Sequence, residues 1–236
     1  MASLEKGKIS GTELVYLLTS YLIGSSIIIT PGRGAQQDAW IAILVGAAVG
    51  LLLVLIFTAL ARRFPGKTIV EILETVFGPY FGKAFAVSFI WYSFHLGSLV
   101  IRDFTDFFTT VVMPETPDIV FAILLVAVSA YAVGNGLEVI ARCSLLLLPL
   151  TIGLILTTFL LQLNQLDFKN FLPILETPWL QLFQSVHAIA AFPFGEAVIF
   201  LMILPFLSQP RTGRDRMMVG TILAACFIDL VALRSI

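Results

Sequence analysis

Two long apolar segments of this chain are each interrupted near their middle, and four uninterrupted spans lie between them. The interruptions are Gly24-Ser25-Ser26 and Phe192-Pro193-Phe194-Gly195-Glu196. A helix broken at mid-depth in a bilayer bares N–H and C=O groups that lipid cannot satisfy. Such breaks persist only where protein or a water-filled cavity surrounds them, and in transporter folds they mark binding sites. The expectation is an all-α integral membrane protein with a hollow shared by two unwound helices.

Composition agrees. The 236 residues are 58% hydrophobic and 12% charged, with a mean hydropathy of +0.99. Soluble domains of this size are far more polar. The net charge of −1 carries no basic excess for a nucleic-acid partner. Cys143 and Cys226 both fall inside apolar runs and read as small core residues, not as a disulfide or a metal site. Lys6 and Lys8 precede an apolar run, as in a signal peptide. That run, Leu14 to Pro31, is too long for an h-region, so it reads as a retained first span.

The spacing predicts seven spans, near 11–31, 39–61, 81–112, 119–133, 143–163, 178–207 and from 217 onward, with Pro149 as a kink in the fifth. With the N-terminus inside, Lys6, Lys8, Arg62, Arg63, Lys67, Lys83, Arg142, Arg211, Arg214 and Arg216 lie on the inner side. Arg33, Arg102 and Lys169 lie outside. The bias puts the N-terminus in the cytoplasm. Between the second and third spans, Ile69, Ile72, Leu73 and Val76 share one helical face, which reads as an amphipathic surface helix. Residues 164–178 read as a helix over the outer mouth. Five spans separate the starts of the two broken ones, so the second runs the opposite way, the arithmetic of an inverted repeat. Residues 1–236 then form one transmembrane domain, with a first five-helix repeat over about 10–163 and an incomplete second repeat over about 178–236. A chain that stops in an apolar run holding Asp229 and Arg234 reads as a fragment.

At the first break, Ser25 and Ser26 suit the N-cap of a helix restarting near Ile27, and Gly24 opens backbone angles closed to other residues. The restarted N-terminus would favour an anion such as an amino-acid carboxylate. The competing reading is a Gly/Ser patch for close helix packing. At the second break, Pro193 removes a donor and Gly195 relaxes the backbone. Glu196 places a carboxyl near mid-membrane, at a cost of roughly 3 kcal/mol on insertion scales, and is a functional residue by default. Its open roles are to bind a substrate amine, carry a proton, meet a cation or cap the second half-helix. Phe192 and Phe194 read as pocket walls or as plain packing. His95, near mid-depth of the third span, lines the cavity or packs between helices. Arg102 and Asp106 stand at i, i+4 and pair on a solvated rim. There is no HExxH, CxxC, P-loop or complete dinucleotide fingerprint, so neither an enzyme nor a cofactor or metal is expected.

Several strings recur in a fixed order: QDAW at 37–40, ARRFPGKT at 61–68, GLEVIAR at 136–142, FPFGE at 192–196 and LP at 204–205. Together they resemble the spore germination permease family, the B subunits of nutrient germinant receptors, within the amino acid–polyamine–organocation superfamily. The resemblance implies a LeuT-like inverted-repeat bundle of about ten helices, of which about seven are present here. It implies sensing of a small nutrient, commonly an amino acid, in the spore inner membrane, alongside a membrane A subunit and a C lipoprotein. By position, the ligand would lie against Gly24, Ser25, Ser26 and Ile27 on the first span and against Phe192, Phe194, Gly195 and Glu196 on the sixth, with the third contributing near His95. Two other readings stay open: a transporter that couples amino-acid uptake to protons through Glu196, and a truncated, non-functional product.

Overall fold

The computed structural model describes residues 8–24, 26–29, 31–163 and 172–233. Helix α1 (Gly11–Gly24) starts where Ser10 and Glu13 cap each other: the Ser10 N–H donates to Glu13 Oε2 at 2.6 Å and the Glu13 N–H to Ser10 Oγ at 3.2 Å. The short α2 (Ser26–Ile29) follows. Gly32, at φ 92°, then turns the chain through a 3-10 segment, Arg33–Asp38, into α3 (Ala39–Arg63). Helix α4 (Ile69–Phe107) is two helices in one. Gly78 adopts φ 79° and ψ 175°, so a nine-residue arm precedes the span. The Thr68–Glu71 capping box starts the arm; of its predicted apolar face, Ile69 and Ile72 are buried, Leu73 is half-buried and Val76 is exposed. A π segment, Phe108–Val112, ends the span.

Helices α5 (Asp118–Gly134) and α6 (Leu137–Gln162, with Pro149 inside it) follow. Then come α7 (Trp179–Ala191), a 3-10 stretch (Phe194–Met202) and finally α8 (Gly213–Leu233). Six helical segments are long and apolar enough to cross a membrane, and α5 is a shorter apolar helix of 17 residues. The protein is thus an all-α integral membrane bundle. The loop expected to hold a helix at 164–178 falls largely outside the described residues, and its described part, 172–178, carries turns and bends.

The core lies where α1, α3, α8 and the α7 span (α7 with its 3-10 continuation, residues 179–207) meet. Small residues make this possible. A Cβ on Gly46 would stand 2.5 Å from Ile189 Cγ2, and one on Gly50 2.5 Å from Phe194 Cβ. Gly46-x-x-x-Gly50 is therefore a groove in α3 that seats the α7 span at its break. A Cβ on Gly220 of α8 would lie 3.1 Å from Leu18 Cδ2, and Thr19 Oγ1 donates to the Gly220 carbonyl at 3.2 Å. On the periphery, α4, α5 and α6 turn large apolar side chains outward, among them Trp91, Tyr131 and Leu146. Cys143 and Cys226 are free and exposed, not core residues. Both lie on helices whose apolar faces look outward, where a small apolar side chain needs no partner.

One further contact sets direction. The Ile9 N–H donates to the Phe206 carbonyl at 3.0 Å and the Ser208 N–H to the Ile9 carbonyl at 2.9 Å, a parallel bridge between Ile9 and Leu207. The beginning of α1 and the end of the α7 span are therefore tied at one end of the bundle, so the two spans run in opposite directions.

Candidate functional site

The second interruption is a true unwinding. Helix α7 stops at Ala191, and Phe192 is extended at φ −132°, ψ 120°. The Phe192–Pro193 bond is cis. Pro193 has no N–H to return to the Ile189 carbonyl, so that rung of the ladder is missing beside the extended Phe192. The chain resumes as a nine-residue 3-10 helix, far longer than such helices usually run. Gly195 allows close approach of backbone to backbone: a Cβ there would sit 3.0 Å from the Ala190 carbonyl oxygen. Phe194 is fully buried against α3.

Glu196 is 5% exposed. From α1, the Tyr21 side chain comes within electrostatic reach of its carboxyl. Tyr21 is held in place edge-on against Phe200, with ring centroids 5.6 Å apart and planes at 71°. From α4, Tyr92 and Asp103 come within electrostatic reach of the same carboxyl. A buried acid, two phenols and an unwound backbone thus converge from three spans. The chemistry available is recognition of an amine or another hydrogen-bond donor, or movement of a proton along oxygen atoms.

The first interruption differs from expectation. Gly24 lies in a helix with no left-handed backbone angle, and a Cβ there would meet nothing within 4 Å. Ser26 does not act as an N-cap. Its hydroxyl donates to the Leu22 carbonyl at 2.8 Å, four residues back, which is the pairing of a residue inside a helical turn. Ser25 lies outside the described residues. Ile27 lines an apolar cavity of about 260 Å³ with Leu154, Ile155 and Leu230, from α6 and α8. α1 reaches Glu196 instead through Tyr21, one turn before Gly24.

His95 is exposed and stacks on Trp91, at 6.5 Å and 9° between planes. It is turned about 60° around the helix axis from Tyr92, whereas Asp103 lies about 20° from it, at 100° per residue. Depth in a span is legible from sequence, but rotation is not. Arg102 and Asp106 pair at 3.6 Å on the surface, as their spacing predicts.

Sequence reasoning also missed Asp38. Its side chain is fully buried, and its carboxylate oxygens accept from the N–H groups of Leu175 at 2.7 Å and Thr177 at 3.1 Å. Thr177 Oγ1 donates to the Ala35 carbonyl at 2.8 Å. Asp38 therefore pins the segment entering α7 to the start of α3. The signal was a lone acid at the mouth of an uncharged span.

Three relatives share the chain's pattern. Spore germination protein KB of Bacillus subtilis (strain 168) is 31% identical over 230 residues, covering 96% of this chain and 62% of the relative. Spore germination protein B2 of the same organism is 23% identical over 231 residues, covering 96% and 62%. Spore germination protein YndE, also from that organism, is 22% identical over 218 residues, covering 91% and 60%. The chain thus spans about three-fifths of the length of these curated relatives. No solved structure matches it. The family model described as spore germination protein matches residues 8–236, and the chain belongs to that family.

Proposed function

We propose that this chain is the permease-like part of a B-type subunit of a nutrient germinant receptor, and that it binds a small nutrient, an amino acid, beside the unwound α7 span. The single observation that supports the reading is the buried Glu196 carboxyl at the break, faced by Tyr21. An amino acid brings an ammonium group for that carboxylate, and its side chain has Phe192 and Phe200 as apolar neighbours. The receptor's A subunit and C lipoprotein are the partners, the spore inner membrane is the location, and the N-terminus is cytoplasmic. In this reading the fold is a LeuT-like inverted repeat, with residues of about 10–163 and 178–236 as its two parts. Signalling follows if the nutrient binds one arrangement of the spans better than another, because a ligand shifts an equilibrium only by its differential affinity.

The test is direct binding of an amino-acid panel to the complete protein with its two partners. Glu196→Gln is expected to weaken binding of the recognised amino acid about 10- to 100-fold, the worth of a hydrogen bond to a charged group. Undiminished binding in that variant contradicts the site. The same buried carboxyl, with Asp103 near it, favours a second reading as a proton-coupled transporter. Uptake of the bound amino acid into proteoliposomes, driven by a proton gradient, separates the two. Accumulation supports transport, and binding without accumulation supports sensing.

A further inference from the structure

At the end of α3, a cavity of about 300 Å³ opens between the 61–67 turn and the 210–214 turn. Four cations line it: Arg62, Lys67, Arg211 and Arg214. No carboxylate does. Among the described residues the ion pairs are Arg102–Asp106 and Arg142–Glu138, so the three arginines here enter none. Lys67 donates to Thr75 Oγ1 at 2.9 Å, which leaves two of its ammonium hydrogens free. Glu71 is engaged with Thr68, and Asp215 is exposed and does not line the cavity. The first turn of the 21-residue helix α8, at Gly213 and Arg214, adds the positive end of its dipole to the wall.

The level of this cavity in the membrane is fixed by α3. Its run Ala39–Ala61 carries no charge, and Arg62 and Arg63 follow at once, so the cavity sits where hydrocarbon gives way to headgroups. Its floor is apolar, made by Ala61, Leu204 and Pro205. A cluster of like charges held together at a membrane edge is self-repelling unless an anion fills it. Cations above a short apolar floor match a phosphate joined to glycerol and the first methylenes of an acyl chain. A free anion has no use for the floor.

We propose that this cavity seats the phosphate of an anionic glycerophospholipid. The occupied site would bridge the end of α3 to the start of α8 and to the end of the unwound α7 span, whose Leu204 and Pro205 form its floor. This inference does not depend on what binds at Glu196.

The purified chain, stripped of lipid in a neutral detergent, is titrated with phosphatidylglycerol, with phosphatidylcholine of the same acyl length and with inorganic phosphate, and thermal unfolding is followed. Phosphatidylglycerol is expected to raise the unfolding temperature, and the other two are not. Arg62→Gln, Arg211→Gln and Arg214→Gln together should weaken the phosphatidylglycerol effect about 100-fold, at roughly fivefold for each cation near an anionic surface. Neutralising Arg33, Arg63 and Lys83, which lie outside the cavity, should leave it unchanged. An equal shift with phosphatidylcholine, or an unweakened shift in the cavity variant, overturns the site. An equal shift with inorganic phosphate overturns the lipid as its source. Should the cavity variant not fold, native mass spectrometry of the unsubstituted chain decides. Retained phosphatidylglycerol in preference to phosphatidylcholine supports the proposal, and equal or no retention contradicts it.

Discussion

Around Gly24 the chain stays helical on both sides of Ser25, whereas around Pro193 it comes apart. Ser26 answers the Leu22 carbonyl with its own hydroxyl, so that turn loses little. Pro193 offers nothing to Ile189, and Phe192 must extend before a different helix type can begin. The two places also differ in their surroundings. Gly24 faces open space, while the chain around Phe194 is pressed into the Gly46–Gly50 groove and closed off by Tyr21 and Phe200. Pro149 sits inside the unbroken α6, so a proline alone does not unwind a span; at the second interruption Pro193 stands between an extended Phe192 and Gly195. The break in the α-helical ladder, and the buried acid beside it, therefore fall on the α7 span, and α1 reaches that site through Tyr21.

This contrast can be broken by substitution. The largest effect is expected at Gly50, where a side chain has no room beside Phe194. Gly50→Leu should destabilise the bundle by about 3 kcal/mol or more, at the upper end of overpacking costs, read as a fall in unfolding temperature in detergent. A stable Gly50→Leu protein would mean that the α7 span is not seated on α3. Near the first interruption the effects should be small. Ser26→Ala removes one satisfied local hydroxyl and should change stability by less than about 1 kcal/mol. Gly24→Ala should be neutral or stabilising by up to about 1 kcal/mol, because the position is helical and open. A marked loss in Gly24→Ala would show that the first span does need the glycine.

Much of this was legible in the sequence. The apolar runs fix the spans, and Pro193 with Gly195 two residues on marks the break, because a missing N–H and a freed backbone fall together there. Thr68 and Glu71, spaced for a capping box, mark the surface arm. What was hidden depends on rotation and on tertiary fit. His95 and Tyr92 lie at similar depth, yet only Tyr92 turns toward Glu196. Nothing in the sequence around Tyr21 ties it to Phe200 or Glu196, which reach it from a distant span. Gly46 and Gly50 were a readable small-residue spacing, but what fills their groove is known only once α7 is in position. Ser25 and Ser26 suited a cap equally well as a continuing turn, and local sequence does not choose between them.

Tyr21 from one span meets Glu196 at the unwound part of another, and the site depends on that meeting. A double-mutant cycle with Tyr21→Phe and Glu196→Gln, read as unfolding free energy in one detergent, tests it most directly. Coupling of about 0.5–3 kcal/mol is expected for side chains that interact there, whereas effects that add to within about 0.3 kcal/mol would show that the two spans do not meet.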